Sequence, residues 1–209
     1  MLSILLACTK PPAPTAEVVV DPAPTEEVAL EVDITPDSLV VPGERVGPVV
    51  AGIDREALVA AFPEGVVTDV EVGLGEGFTA PGWRVEAGDR SLSLVAEGDE
   101  LRVSDLGRAW RTAEGLGIGS TYDEVTAALG TFEIAGQGWD YSGTIDLSGS
   151  KLAAASGLLT LRLEPQGEPD PEAFQAVLGD RFFPSTDPNL AKLDLAVYEV
   201  LVLLRPAEP

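Results

Sequence analysis

Histidine is missing from this chain altogether, cysteine and methionine occur once each, and lysine plus arginine number only 13 in 209 residues. Without histidine there is no Ser-His-Asp or Cys-His relay in its usual form, no HExxH zinc site and no imidazole proton shuttle. Against 35 Asp plus Glu, the shortage of cations leaves a formal charge of −22. Such a surface repels phosphate backbones and anionic headgroups, which argues against a nucleic-acid partner and against electrostatic membrane binding. Long apolar runs are lacking as well. No stretch of the sequence reaches the roughly 20 apolar residues that span a bilayer. The acidity fits a soluble, strongly hydrated exterior, and a salt-adapted source would also produce it.

What remains is enough to fold. Hydrophobic residues make up 45% of the chain, an ordinary globular share, and the length suits one sizeable domain or two small repeats sharing a core. The single cysteine, Cys8, follows Leu5, Leu6 and Ala7. Leu-Leu-Ala-Cys has the form of a bacterial lipobox, in which the cysteine becomes the lipidated N-terminus after cleavage. The apolar run is short and no Lys or Arg precedes it, although a signal peptide wants both a longer core and a cationic start. A start codon placed too far downstream accounts for both features; the alternative is a chance apolar start with a free thiol. Residues 1–7 are accordingly expected to be a residual lipoprotein signal peptide and Cys8 the lipidation site. Because one acyl chain holds weakly, a di- or triacylated cysteine is the expected anchor.

Behind the cysteine comes "KPPAPTAEVVVDPAPTEEVALEVDITPDSLVVPGERV". Its prolines oppose regular ladders and favour an extended, polyproline-like course, and its acids repel one another. Residues 8–45 are predicted to be a disordered tether that sets reach and carries no chemistry. Val18–Val20 and Val28–Val32 are the parts apolar enough to touch the domain.

Residues 46–209 are predicted to form a single α+β domain of antiparallel β-meanders and short packed helices. "GIDREALVAAFP" reads as a helix capped by Asp54, with Leu58, Val59 and Phe62 on one face and Pro63 as its end. Period two then takes over. Val66, Thr68, Val70 and Val72 oppose Val67, Asp69 and Glu71; further runs alternate around Trp83–Ala87, Leu92–Ala96 and Leu101–Val103. Gly88-Asp89 and Gly98-Asp99 separate these runs as turns, which predicts a meander with one buried face.

A second unit opens at "GLGIGSTYDEVTAALG". Thr121 and Glu124 form a capping box, Val125, Ala128 and Leu129 an apolar stripe, and Gly130 the stop. Strand-like pieces follow at Thr131–Ala135, Trp139–Tyr141, Thr144–Leu147 and Gly157–Leu163. A third helix is predicted at "DPEAFQAVLG", with Asp170 as cap, Pro171 in the first turn and Gly179 as stop. "LDLAVYEVLVLL" closes the chain as a buried strand. Gly52 and Gly119, Leu58 and Val125, and Phe62 and Leu129 are each 67 residues apart. That offset points to duplicated helix-plus-sheet units over residues 46–112 and 113–209.

The segments "VGPVVAG" and "GLGIGSTYDEVTAALG" resemble the "GVGP" and "GIGVGST-x-x-EV" stretches of small bacterial envelope lipoproteins, above all the sigma-E-regulated lipoprotein family of enterobacteria. A similar glycine-Ser/Thr-x-x-Glu-Val element occurs in domains like the β-lactamase inhibitory protein and in small barrel-assembly lipoproteins. The likeness covers residues 46–163. It implies an envelope location and an α+β fold, and it carries over no catalytic residue, because the motif is a turn, a cap and a short helix.

Chemistry-bearing patterns are sparse. Ser148-Gly-Ser-Lys151 has the bare S-x-x-K spacing by which a lysine activates a serine, without its usual companion motifs. Gly115-x-Gly117-x-Gly119 lacks full phosphate-cradle spacing and reads better as the approach to a helix cap. Asp69/Glu71, Asp99/Glu100 and Asp140/Asp146 could pair carboxylates for hydrolysis or calcium, but with 35 acids such pairs arise by chance and a solvated face is the better reading. Trp139 and Tyr141, flanked by glycines, are candidate partner contacts, although core packing is the better reading of both; Trp83 reads as core.

The sequence thus predicts a lipid-anchored lipoprotein of the cell envelope, on the outer membrane facing the periplasm or at the cell surface. It is expected to be non-enzymatic, without catalytic residues, metal or cofactor. It would bind a protein or another envelope component through its sheet face or loops. The alternative is an envelope hydrolase working through paired carboxylates or a Ser-Lys pair.

Overall fold

The computed structural model of the protein describes residues 38–206, and its first helix begins where the sequence places it. Cys8, the signal remnant and most of the expected tether lie outside the described residues. In α1 (Arg55–Ala61) the Asp54 carboxylate accepts from the Ala57 amide at 2.8 Å. Leu58 and Phe62 are buried, whereas Val59 is 44% exposed. Successive helical residues turn by about 100°, so a neighbour of Leu58 cannot share its face; the predicted three-residue stripe loses Val59.

The predicted capping box is present at α2 (Tyr122–Leu129). Thr121 Oγ1 accepts from the Glu124 amide at 3.3 Å, and Glu124 Oε2 accepts from the Thr121 amide at 2.7 Å. Both orphan amides are satisfied locally, a device worth about 0.5–2 kcal/mol. Val125 and Leu129 are fully buried, and Gly130 ends the helix with φ at +75°. In α3 (Pro171–Ala176) Asp170 caps the Ala173 amide at 2.8 Å. This helix stops short of the predicted Gly179.

The described strands form three sheets. One consists of β1 (Leu39–Val41), β2 (Arg45–Val46), β3 (Val49–Val50) and β8 (Arg111–Thr112), in the order β3-β2-β1-β8. A small one joins β9 (Glu133–Ala135), β10 (Ile145–Asp146) and β12 (Phe182–Pro184) around β9. The large antiparallel sheet contains β4 (Val66–Gly75), β5 (Phe78–Glu86), β6 (Leu92–Glu97), β7 (Glu100–Ser104), β11 (Leu159–Pro165) and β13 (Leu195–Leu204). Its order is β11-β13-β7-β6-β5-β4. The chain is therefore a mixed α+β protein weighted towards β, built on antiparallel meanders.

The core lies against one face of the large sheet, where Val85, Leu94, Val103, Leu161, Val202 and Leu204 are buried together with Leu58, Val125 and Leu129 from the helices. Four sequence expectations change. Leu39–Val41, assigned to the tether, is a strand between β2 and β8, and Val40 is only 2% exposed. Gly98-Asp99 closes the β6–β7 hairpin as predicted, but Gly88 opens a 3-10 turn. Trp139–Tyr141 is a turn and not a strand. The meander is not buried on one face only: Val72 and Val95 are buried on the side away from the core. What covers them creates the candidate site.

Candidate functional site

Val67 pairs with Val85 and leans on the core, so the alternation along β4 sends Val70 and Val72 to the opposite face. The strand β5 pairs with β6 only from Trp83 to Val85. Beyond that, residues 78–82 continue with β4 alone, and the hairpin leaves the sheet as an arm. Gly82 permits the departure. A Cβ at this position would overlap the Leu94 carbonyl oxygen and press on Val72 and Val95. The arm folds over the outer face and buries Val72 there, while Arg102 Nη2 reaches the Leu74 carbonyl at 3.4 Å.

Facing the arm is the loop Trp139–Gly143. Arg162 on β11 holds it from below, donating through Nη2 to the Asp140 carbonyl at 2.6 Å and through Nε to the Ser142 carbonyl at 3.2 Å. Its remaining nitrogen, Nη1, meets the Glu199 carboxylate at 2.9 Å. Trp139 Nε1 donates to the Gly136 carbonyl at 3.1 Å, and its ring packs edge-on against Tyr141 at 5.5 Å. Trp139 is thus half-buried support, and Tyr141, 54% exposed, is the ring that faces outward. Ser142 Oγ is anchored to the buried Gln137 at 3.1 Å.

Between arm and loop lies an open cleft of about 1140 Å³ floored by the outer face of the sheet. Tyr141 Oη donates to Glu76 Oε1 at 2.9 Å across its mouth, joining residues 65 apart in sequence. That bond to a carboxylate, reinforced by its charge, raises the Tyr141 pKa above the usual phenol value. A raised pKa in the folded state means the clasp contributes below the ordinary tyrosine range near 10 and is lost as pH rises through the shifted value. Glu76→Gln is expected to return Tyr141 towards its ordinary pKa, measured from the ring-carbon NMR shift; Tyr122, pushed up to about 12 by its own burial, should not move.

The other sequence candidates are not brought into catalytic arrangements. Lys151 Nζ donates to the Ala127 carbonyl at the end of α2, at 3.1 Å, and no described hydrogen bond joins it to Ser148. Asp146 accepts from the Ser148 amide at 2.9 Å, which lowers its pKa. In the glycine run the amides are already used: Gly117 donates to Ser120 Oγ at 3.1 Å and Gly119 to the Val197 carbonyl at 2.8 Å. A phosphate cradle would need such amides free. Asp69 pairs with Arg55 at 3.5 Å and Glu100 with Arg205 at 2.8 Å. Among the described residues, no group of three or more potential metal ligands occurs. Trp83 is half-buried against the core and also lines a shallower cleft of about 440 Å³ with Pro81 and Leu94.

Sequence reasoning named Trp139 and Tyr141 as candidates while favouring core packing, and it did not single out Glu76, Phe78, Arg102 or Arg162, which line the same cleft. The signal for the arm was present in Gly73, Gly75 and Gly77, which punctuate an otherwise regular strand pattern. Comparison of the chain with protein-family models, with curated proteins and with solved structures finds no match.

Proposed function

We propose that this chain is a non-enzymatic lipoprotein of the bacterial envelope, anchored through Cys8, that binds a protein or another envelope component in the cleft over its large sheet. The observation that carries the binding half is the cleft itself, with Tyr141 and Phe78 presented at its rim by two separately braced segments. Exposed aromatic rings on rigid supports suit partner contact, because they bury much area with little loss of side-chain freedom. The anchor rests on the Leu-Leu-Ala-Cys run, and the sigma-E-regulated lipoprotein likeness agrees with it. The 67-residue offset between the two capped helices supports descent of the fold from a duplicated unit.

Expressed from its full native start in a bacterial host, the protein should incorporate radiolabelled palmitate and partition with membranes. Cys8→Ser should abolish both. Equal labelling of the two proteins would remove lipidation from the account.

A further inference from the structure

We infer that the cleft takes a positively charged, Lys- or Arg-bearing segment of another protein. This deepens the binding role proposed above and rests on it. The cleft is lined by Glu76, Asp105, Asp140 and Glu199 against Arg102 and Arg162, and the two cations are already used in building it. All three nitrogens of Arg162 are committed, to the Asp140 and Ser142 carbonyls and to Glu199. Arg102 is turned to the arm through the Leu74 carbonyl, with Glu97 at 3.9 Å; its Nε is buried and has no hydrogen-bond partner among the described residues. What faces an incoming ligand is therefore the opposite sign. Asp140 is exposed and forms no ion pair among the described residues, and Glu76 gives one oxygen to the Tyr141 hydroxyl. Asp105 is paired with Arg84 but its side chain stays 61% exposed.

The backbone adds a separate observation. Glu76 and Asp105 have φ at +50° and +49°, in the left-handed region that side-chain-bearing residues seldom adopt. Two of the three described non-glycine residues in that conformation are thus acids lining this cleft. Phe78, 68% exposed, and Tyr141 offer ring faces of the kind that attract guanidinium and ammonium groups. The size also fits: at about 1140 Å³ the cleft exceeds the roughly 300–1,000 Å³ of small-molecule pockets and can hold several residues of extended chain. The net charge of −22 would speed the approach of such a partner at low salt and turn away acidic competitors.

The test is an amide NMR titration of the full 209-residue chain with the peptide acetyl-Lys-Tyr-Lys-Tyr-Lys-amide and with its counterpart carrying Glu for Lys. The basic peptide should shift resonances concentrated at Glu76, Phe78, Asp140 and Tyr141, and the acidic one should leave them unmoved. Glu76→Gln combined with Asp140→Asn, in a protein whose melting temperature is unchanged, should weaken binding about threefold to tenfold. Shifts spread evenly over the acidic surface, equal binding of both peptides, or indifference to the double substitution would each overturn the inference. If neither peptide binds but the rim positions still cross-link to a partner in cells, the basic-segment inference fails and the binding role stands. If the rim does not cross-link at all, the binding role itself fails.

Discussion

Gly143→Ala should lower the stability of the protein by roughly 2–5 kcal/mol and detach the loop that carries Tyr141. Gly143 has φ at +69°, and a Cβ there would overlap the Leu163 carbonyl oxygen. The left-handed conformation alone costs an alanine about 1–2 kcal/mol, and forcing an atom into closed packing adds about 1–3 kcal/mol. The site cannot relax cheaply. The Gly143 carbonyl accepts from the Leu163 amide at 2.9 Å, and its amide donates to the Ala135 carbonyl at 3.1 Å, so either movement breaks a ladder bond. Gly149→Ala is the control, because a Cβ there meets nothing within 4 Å. Chemical denaturation of both variants checks the difference. A Gly143→Ala protein as stable as the parent would mean that the loop is not pinned to β11.

Removing residues 1–45 should destabilise the domain by about 3–6 kcal/mol, on the order of 10 °C in melting temperature. The cut takes away β1, which lies inside its sheet, with Val40 paired to Val46 on one side and Thr112 on the other. Burying Val40 contributes about 1.5–3 kcal/mol, and each lost backbone bond adds about 0.5–1.5 kcal/mol. The turn beyond β1 is also tied in: Gly43 donates to the Leu203 carbonyl at 3.0 Å and accepts from the Arg205 amide at 2.9 Å. Removing only residues 1–37, which leaves β1 in place, should shift the melting temperature by no more than a few degrees. Calorimetry on the two truncated chains separates these cases. Equal melting temperatures would show that β1 adds nothing.

The helices were legible because their signals are local. Asp54, Thr121 with Glu124, and Asp170 each cap an amide within three residues, so a short window of sequence holds the whole interaction. Strand alternation was legible too, as at Leu92–Ala96 and Leu101–Val103. Its consequence was not. Period two tells which residues share a face, but not that an arm will return to cover the second face. Val95 therefore read as solvent-side and proved buried under Val72. The cleft was hidden for the same reason: Glu76 and Tyr141 touch across 65 residues, and Arg162 reaches back 20 residues or more to hold the loop. Leu39–Val41 was misread because the prolines around it look like tether, and although β2 beside it is close in sequence, its partners on the other side, Arg111 and Thr112, come some 70 residues later. Trp139 and Tyr141 were found as a pair by their glycine flanks, but only the fold assigns one to support and the other to the rim.

Cross-linking in the native cells tests the proposed binding surface most directly. A photoreactive phenylalanine analogue would replace Phe78 or Tyr141 at the rim, or Val50 or Val59 as exposed controls. Irradiated cells should give discrete adducts from the two rim positions and none from the controls, and on the proposed lipid anchor Cys8→Ser should reduce them. Adducts from Val50 or Val59 with none from Phe78 and Tyr141 would contradict the account.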